Sequence, residues 1–255
     1  MYERVPPLLI RMKCLFTLVN VTKRLGFKPI VSRQFHVDKR NMTRKRGALI
    51  VFEGCDRSGK TTQCNLLAKN LTDKGENVEL MKFPDRTTVI GKMINDYLSC
   101  KKDVEDHSVH LLFSANRWES VPKMLELLYN GTTLIIDRYA YSGVAFTGAK
   151  PDFEIDWCKQ PDVGLPRPDK VIYLTLSSEA AAKRGGFGEE RYEKTEFQNR
   201  VAKNFELLKD DDWVTVDADK SVDDLQMELL NICRKTIDES VNKSIYKLWT
   251  DEKYH

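Results

Sequence analysis

No stretch of this chain approaches the ~20 consecutive apolar residues that a membrane-spanning helix needs, so the sequence predicts no stable membrane association. Cysteines are few and scattered. Cys14, Cys55, Cys64, Cys100, Cys158 and Cys233 include no C-x-x-C pair, which argues for reduced thiols rather than a zinc site or a disulfide frame. Internal repeats and low-complexity tracts are missing, which sets solenoid and fibrous classes aside. A guanine-nucleotide switch would carry Asn-Lys-x-Asp, but Asn242-Lys243 runs on into Ser-Ile. Acidic residues are scarce in one place. Residues 1–41 hold nine Arg or Lys against Glu3 and Asp38, and the whole-chain charge of +3 leaves the rest at about −4. Nucleic acid is therefore not a predicted partner, because the only basic concentration is this leader.

Three readings fit the leader. Its apolar residues (Leu8, Leu9, Ile10, Leu15, Phe16, Leu18) interleaved with cations suit a mitochondrial transit segment, with Arg33-Gln34-Phe35 as a processing site. It also suits a disordered tail, or an upstream start whose main product begins at Met42. Residues 42–255 then form one α/β domain of adequate length.

What the domain does contain is the run Ala48-Leu49-Ile50-Val51-Phe52-Glu53, followed by Gly54-Cys55-Asp56-Arg57-Ser58-Gly59-Lys60-Thr61-Thr62. An apolar β-branched strand feeding G-x-x-x-x-G-K-T is a phosphate-binding loop that opens a helix. The glycines let successive N–H groups converge on phosphate oxygens, and the helix dipole adds to the attraction. Lys60 supplies a point charge, and the Thr61 hydroxyl a ligand for the Mg²⁺ that accompanies ATP.

Periodicity predicts a helix over 60–74 stopped by Gly75, and a strand over 78–83 ended by Pro84 with Asp85-Arg86 beyond it. A short amphipathic helix carrying Ile90, Ile94 and Leu98 follows, then one long helix over 107–128. Phe113 and Arg117 lie one turn apart there. They suit either a ring and guanidinium gripping a planar base, or a core Phe with an Arg reaching past it. A strand over 132–136 ends in Asp137-Arg138-Tyr139, where the carboxylate is placed for a metal-bound water and the arginine for a phosphate. Residues 141–168 read as turn-rich and 170–176 as a strand. Residues 182–193, with three glycines in a charged run, read as a flap on which Arg184 and Arg191 either close on phosphates or a base, or stay solvated. Helices over 192–208 and 222–237 flank a strand over 213–216, and the tail with Trp249 packs back on the domain. Alternating strands and helices predict a parallel five-stranded sheet flanked by helices, of the P-loop NTPase type, with a lid.

Taken together, the loop, Phe83-Pro84-Asp85-Arg86, residues 110–118, Asp137-Arg138-Tyr139, Ser142-Gly143-Val144-Ala145-Phe146 and residues 184–192 resemble thymidylate kinases of the eukaryotic type. The likeness runs from about Arg44 to Trp249. It implies phosphoryl transfer from Mg-ATP to dTMP, in a homodimer of the cytoplasm and nucleus, with mitochondrial import depending on residues 1–41. By this resemblance residues 54–62, Arg184 and Lys220 bind ATP, and Thr61 and Asp137 serve the metal. Asp56, Phe83, Arg86, Phe113, Arg117, Arg138, Phe146 and Tyr192 bind dTMP, with Phe113 on the base and Phe146 crowding the 2′ position. Arg57, Lys60 and Arg138 are the implied catalytic cations. The alternatives are another deoxynucleotide or deoxynucleoside kinase, the latter because Asp85 offers a carboxylate base for a 5′-hydroxyl, and a catalytically silent nucleotide-binding regulator.

Overall fold

The computed structural model describes residues 45–177, 180, 191–192 and 194–254. The leader, Arg184 and nearly all of the 182–193 flap, with the expectations placed on them, lie outside the described residues. Five strands, β1 Leu49–Glu53, β2 Val78–Lys82, β3 Thr133–Asp137, β4 Lys170–Thr175 and β5 Trp213–Asp217, pair in parallel in the order β2-β3-β1-β4-β5. Helices between them are α1 Lys60–Thr72, α2 Val89–Leu98, α3 Asp106–Trp118, α4 Val121–Tyr129, α5 Ala140–Thr147, α6 Ile155–Lys159, α7 Thr195–Leu208 and α8 Val222–Ser240.

The central strand shows why its sequence is apolar throughout. Successive side chains point to opposite faces, and both faces are covered, so all five residues of β1 are buried. Leu49 and Val51 join one core with Leu134, Ile136, Val171 and Tyr173, under Met124 and Leu128 of α4 and Val201 and Phe205 of α7. Ile50 and Phe52 join the other, under Leu67 and Leu71 of α1 and Leu225 and Leu229 of α8. The edge strands β2 and β5 are only partly buried. Ile245 and Leu248 of the tail sit in the first core, and Trp249 meets Tyr141 edge-on, as the tail's apolar residues predict.

Three element boundaries differ from expectation for physical reasons. The single helix over 107–128 is two helices, α3 and α4. Pro122 in the first turn of α4 has no N–H, and its ring would clash with the Trp118 carbonyl, so α3 must end there. The supposedly turn-rich 141–168 segment holds most of α5 and all of α6, because Val144 and Ala145 gain burial among α3, α6 and α7 despite the nearby prolines. Tyr192 is not in the helix that follows it, which starts at Thr195. Its ring stacks instead on Phe197 at 5.1 Å.

Candidate active site

Parallel strands deliver their carboxyl ends to one edge, where open α/β sheets collect ligands. Glu53 ends β1 and Asp137 ends β3, and the register pairs Phe52 with Asp137, so the two chain reversals that follow are neighbours. Gly54 begins the first reversal at φ 146°, and a Cβ there would lie 2.5 Å from the Leu174 carbonyl oxygen, so only glycine fits. The loop ends at Gly59, the N-cap of α1, which contributes no side-chain cap. The first-turn N–H groups of α1 are thereby left to a ligand, and that turn, Lys60-Thr61-Thr62, carries no acid to compete for them.

Lys60 is 5% exposed, and its Nζ donates to the Cys55 carbonyl at 2.7 Å and the Ser58 hydroxyl at 3.2 Å. Burial first, and then the Arg138 charge, lower its pKa from 10.5 to about 8. An arriving phosphate supplies the counter-charge this ammonium lacks. Thr61 Oγ1 donates to Asp137 Oδ2 at 2.5 Å, and Lys82 Nζ lies 3.8 Å from the same oxygen. Arg57 sits in the loop at φ 68°, a left-handed conformation unusual for a side-chain-bearing residue.

Arg138, also left-handed at φ 70°, donates to the Gly54 carbonyl at 3.2 Å, to Ser142 Oγ at 3.1 Å and to Asp56 Oδ1. Its conformation is held from beneath by Glu53. That buried carboxylate accepts from the Tyr139 N–H at 2.9 Å, the Ser142 N–H at 3.0 Å and Ser142 Oγ at 2.5 Å. Burial raises its pKa against the opposing effect of these donors. Asp56 is gripped a second time by Gln198 of α7, which donates from Nε2 to Oδ2 at 2.7 Å while Oε1 accepts the Asp56 N–H at 3.1 Å. The same Nε2 donates to the Tyr192 carbonyl at 3.0 Å, so one side chain joins the phosphate loop to the residue at the foot of the flap.

A cavity of about 700 Å³ opens over this edge. Asp56, Arg57, Gly59, Lys60, Thr61, Thr62 and Lys220 line its nucleotide-loop side; Phe83, Arg86, Phe113, Arg117, Arg138, Phe146 and Tyr192 line the other. Every residue expected to touch dTMP therefore lines this one cavity. Arg86, just before α2, donates to Asn95 Oδ1 of that helix at 3.0 Å. Asp85 does not face the cavity, since its carboxylate accepts from the Thr87 N–H and hydroxyl in a local turn at 2.9 and 2.6 Å. Arg117 is 2% exposed and forks onto Asp162, from Nε at 3.0 Å and Nη2 at 2.6 Å. It is thus neither a surface arginine reaching past Phe113 nor an unpaired buried charge.

A family model described as thymidylate kinase matches residues 52–229. The chain belongs to the thymidylate kinase family. It is 53% identical over 211 residues to the thymidylate kinase of Homo sapiens, covering 82% of this chain and 100% of that one. The Danio rerio thymidylate kinase is 48% identical with the same coverage. A solved structure of the thymidylate kinase from Candida albicans matches with TM-score 0.73 at 41% identity, covering 79% of this chain and 98% of that chain.

In this thymidylate kinase the side chains that sequence reading missed are the ones holding the cations: Glu53, Ser142, Asp162 and Gln198. Asp162 is 45 residues from Arg117 and Gln198 is 142 from Asp56, so no local spacing could pair them. Only Glu53 left a trace, as an acid closing an otherwise apolar strand. Arg191, at the edge of the flap, is held by residues at and beyond the end of α2. Its guanidinium lies 4.2 Å from the ring centroid of Tyr97, in the last turn of α2, and pairs with Asp103 beyond that helix.

Proposed function

We propose that this thymidylate kinase transfers the γ-phosphoryl group of ATP to the 5′-phosphate of dTMP, forming dTDP and ADP. The observation that carries the reading is the convergence on one cavity of a phosphate-loop lysine and arginine, two further arginines (Arg86 and Arg138), and the Phe113–Arg117 pair. Two polyanions must approach in line, so catalysis here consists of positioning and charge neutralisation. Lys60 and the loop N–H groups hold the donor phosphates, while Arg138 and Arg86 hold the acceptor phosphate. The bond from the bridging oxygen to the γ-phosphorus breaks as a dTMP phosphate oxygen forms its own, and Arg57 answers the charge that redistributes between them.

The oxygen donors Thr61 and Asp137 suit a magnesium ion. Such an ion would keep waters and nucleotide phosphates among its ligands, beside the Thr61 hydroxyl and the Asp137 carboxylate that lie 2.5 Å apart. The chemistry a bound magnesium ion supplies is charge neutralisation at the nucleotide phosphates. The nucleoside-kinase alternative loses support because Asp85 is occupied in its own turn and Arg86 faces the cavity.

The full chain incubated with Mg-ATP and dTMP should yield dTDP and ADP in equal amounts by chromatography. ADP without dTDP would overturn the reading. A homodimer is proposed on the family likeness alone, and light scattering on the purified chain tests it. The basic leader supports a further proposal, that residues 1–41 direct mitochondrial import. The membrane potential contributes about 2.3 kcal/mol per charge per 100 mV to drawing such a segment inward. Fused to a fluorescent reporter, they should carry it into mitochondria and be cut near Phe35; a diffuse, uncut reporter leaves the protein cytosolic and nuclear.

A further inference from the structure

Arg117 is built into a socket rather than simply placed beside the base site. Asp162, fully buried, takes its Nε and one Nη2 proton. The flat of the guanidinium lies against Gly143 of α5, where a Cβ would stand 2.8 Å from Nη2 and 3.3 Å from Cζ and Nη1. The turn bearing Asp162, the 3₁₀ segment Gln160–Asp162, is itself pinned to α3. Ser114 Oγ and Trp118 Nε1 both donate to the Pro161 carbonyl, at 2.9 and 2.7 Å. Ser114, Arg117 and Trp118 share one face of the last turn of α3, so a single element carries the arginine and two of the contacts that fix its anchor.

The consequence is chemical. A guanidinium has five N–H groups and no acceptor, and it stays charged. Two of the five are spent on Asp162, which fixes the plane, and Gly143 fixes the side from which the plane is packed. The remaining donors are those of the Nη atoms, and Arg117 lines the cavity. We propose that Asp162 is a positioning residue for acceptor-base selection: by locking the plane of Arg117 it presents donors, and only donors, to the edge of the base beside Phe113. A base with a carbonyl at that edge is accepted. One with an amino group there meets a donor it cannot pair with, and the locked plane cannot swing away to relieve the mismatch. This inference rests on the dTMP kinase reading and assigns the discrimination to an acid that touches no substrate.

Steady-state kinetics of the full chain, with dTMP or dCMP as acceptor and ATP as donor, tests it in wild type, Asp162→Asn, Arg117→Ala and the double variant. Asp162→Asn keeps the shape but loses the charge that fixes both donors. It should raise the dTMP KM about tenfold and shrink the dTMP-over-dCMP preference by a similar factor, while the ATP KM stays within about twofold. On the Arg117→Ala background the same change should add less than about twofold, since Asp162 acts through Arg117. Equal effects on both backgrounds, or an unchanged dTMP KM and preference, would overturn the proposal. Gly143→Ala provides an independent variant should Asp162→Asn fail to fold. Its methyl would stand 2.8 Å from Nη2, so it displaces the guanidinium and should move KM and preference the same way; a fully wild-type profile overturns the proposal. A wild-type protein that makes no dTDP would instead bring down the substrate reading itself, and this inference with it.

Discussion

Arg57 and Lys60 stand three residues apart in one loop and do different work. Arg57 should gain most of its interaction as charge redistributes in the transition state, so Arg57→Ala is expected to lower kcat about 10²-fold or more with little change in the ATP KM. A raised KM with intact kcat would make Arg57 a ground-state binder. Lys60 binds in the ground state, and its depressed pKa has a readable sign. Between pH 8 and 10.5 the ligand-free protein holds fewer protons than the unfolded chain, so its own stability rises with pH across that window. Nucleotide affinity runs the other way, because phosphate needs the ammonium form. Calorimetric ATP binding should be level up to about pH 8 and weaken by up to about tenfold per pH unit above it; a constant Kd to pH 9.5 would contradict this. At this scale the sequence was most legible for residues whose chemistry is local. Lys60, Thr61 and Arg138 announce themselves by motif, whereas Glu53, Asp162 and Gln198 act through contacts that only the folded sheet creates.

Helix α3 links the base site to the outer wall, and two of its buried groups make it sensitive in opposite ways. His110 accepts from the Thr147 hydroxyl at Nδ1, 2.8 Å away, and donates from Nε2 to the Cys158 carbonyl at 2.9 Å, which pins α3 to α5 and α6 in the neutral tautomer. Burial first, then the Arg117 charge, lower its pKa from 6.5 to about 4. The unfolded chain therefore binds a proton below pH 6.5 that the fold refuses until about pH 4. Stability should fall on acidification through that window by about 1.4 kcal/mol per unit, about 3 kcal/mol in all. Thermal melts from pH 7 to 4 should show an acid limb that His110→Gln flattens, even with a lower melting point at neutrality; parallel curves would exclude this origin. The second group is the Arg117–Asp162 pair. Removing either partner leaves the other charge buried, at about 3–5 kcal/mol, so Arg117→Ala or Asp162→Ala alone should destabilise more than both together. Additive losses in urea unfolding would mean the pair is not coupled. The single long helix expected over 107–128 failed on one residue, Pro122, because an apolar period says where a helix faces and not where its backbone can continue.

For the whole molecule, the sheet order β2-β3-β1-β4-β5 matters because it sets β1 beside β3 and so brings the phosphate loop and the Asp137-Arg138 turn to one edge. The alternation of strands with helices made that architecture readable in advance, and the strand positions fell within a residue or two of expectation. The burial of α5 was not readable, because Val144 and Ala145 are covered by helices on either side of them in the chain, α3 before and α6 and α7 after. The assembled cavity joins a donor wall to an acceptor wall, and the account stands on what that acceptor is. ADP release, coupled to a spectroscopic readout, measures it directly across dTMP, dUMP, dCMP, dGMP and thymidine at equal concentration. dTMP should turn over far faster than dCMP or dGMP, and thymidine, lacking the phosphate which Arg86 and Arg138 await, should give no more than background. Comparable rates with dTMP and dCMP, or brisk turnover of thymidine, would contradict this.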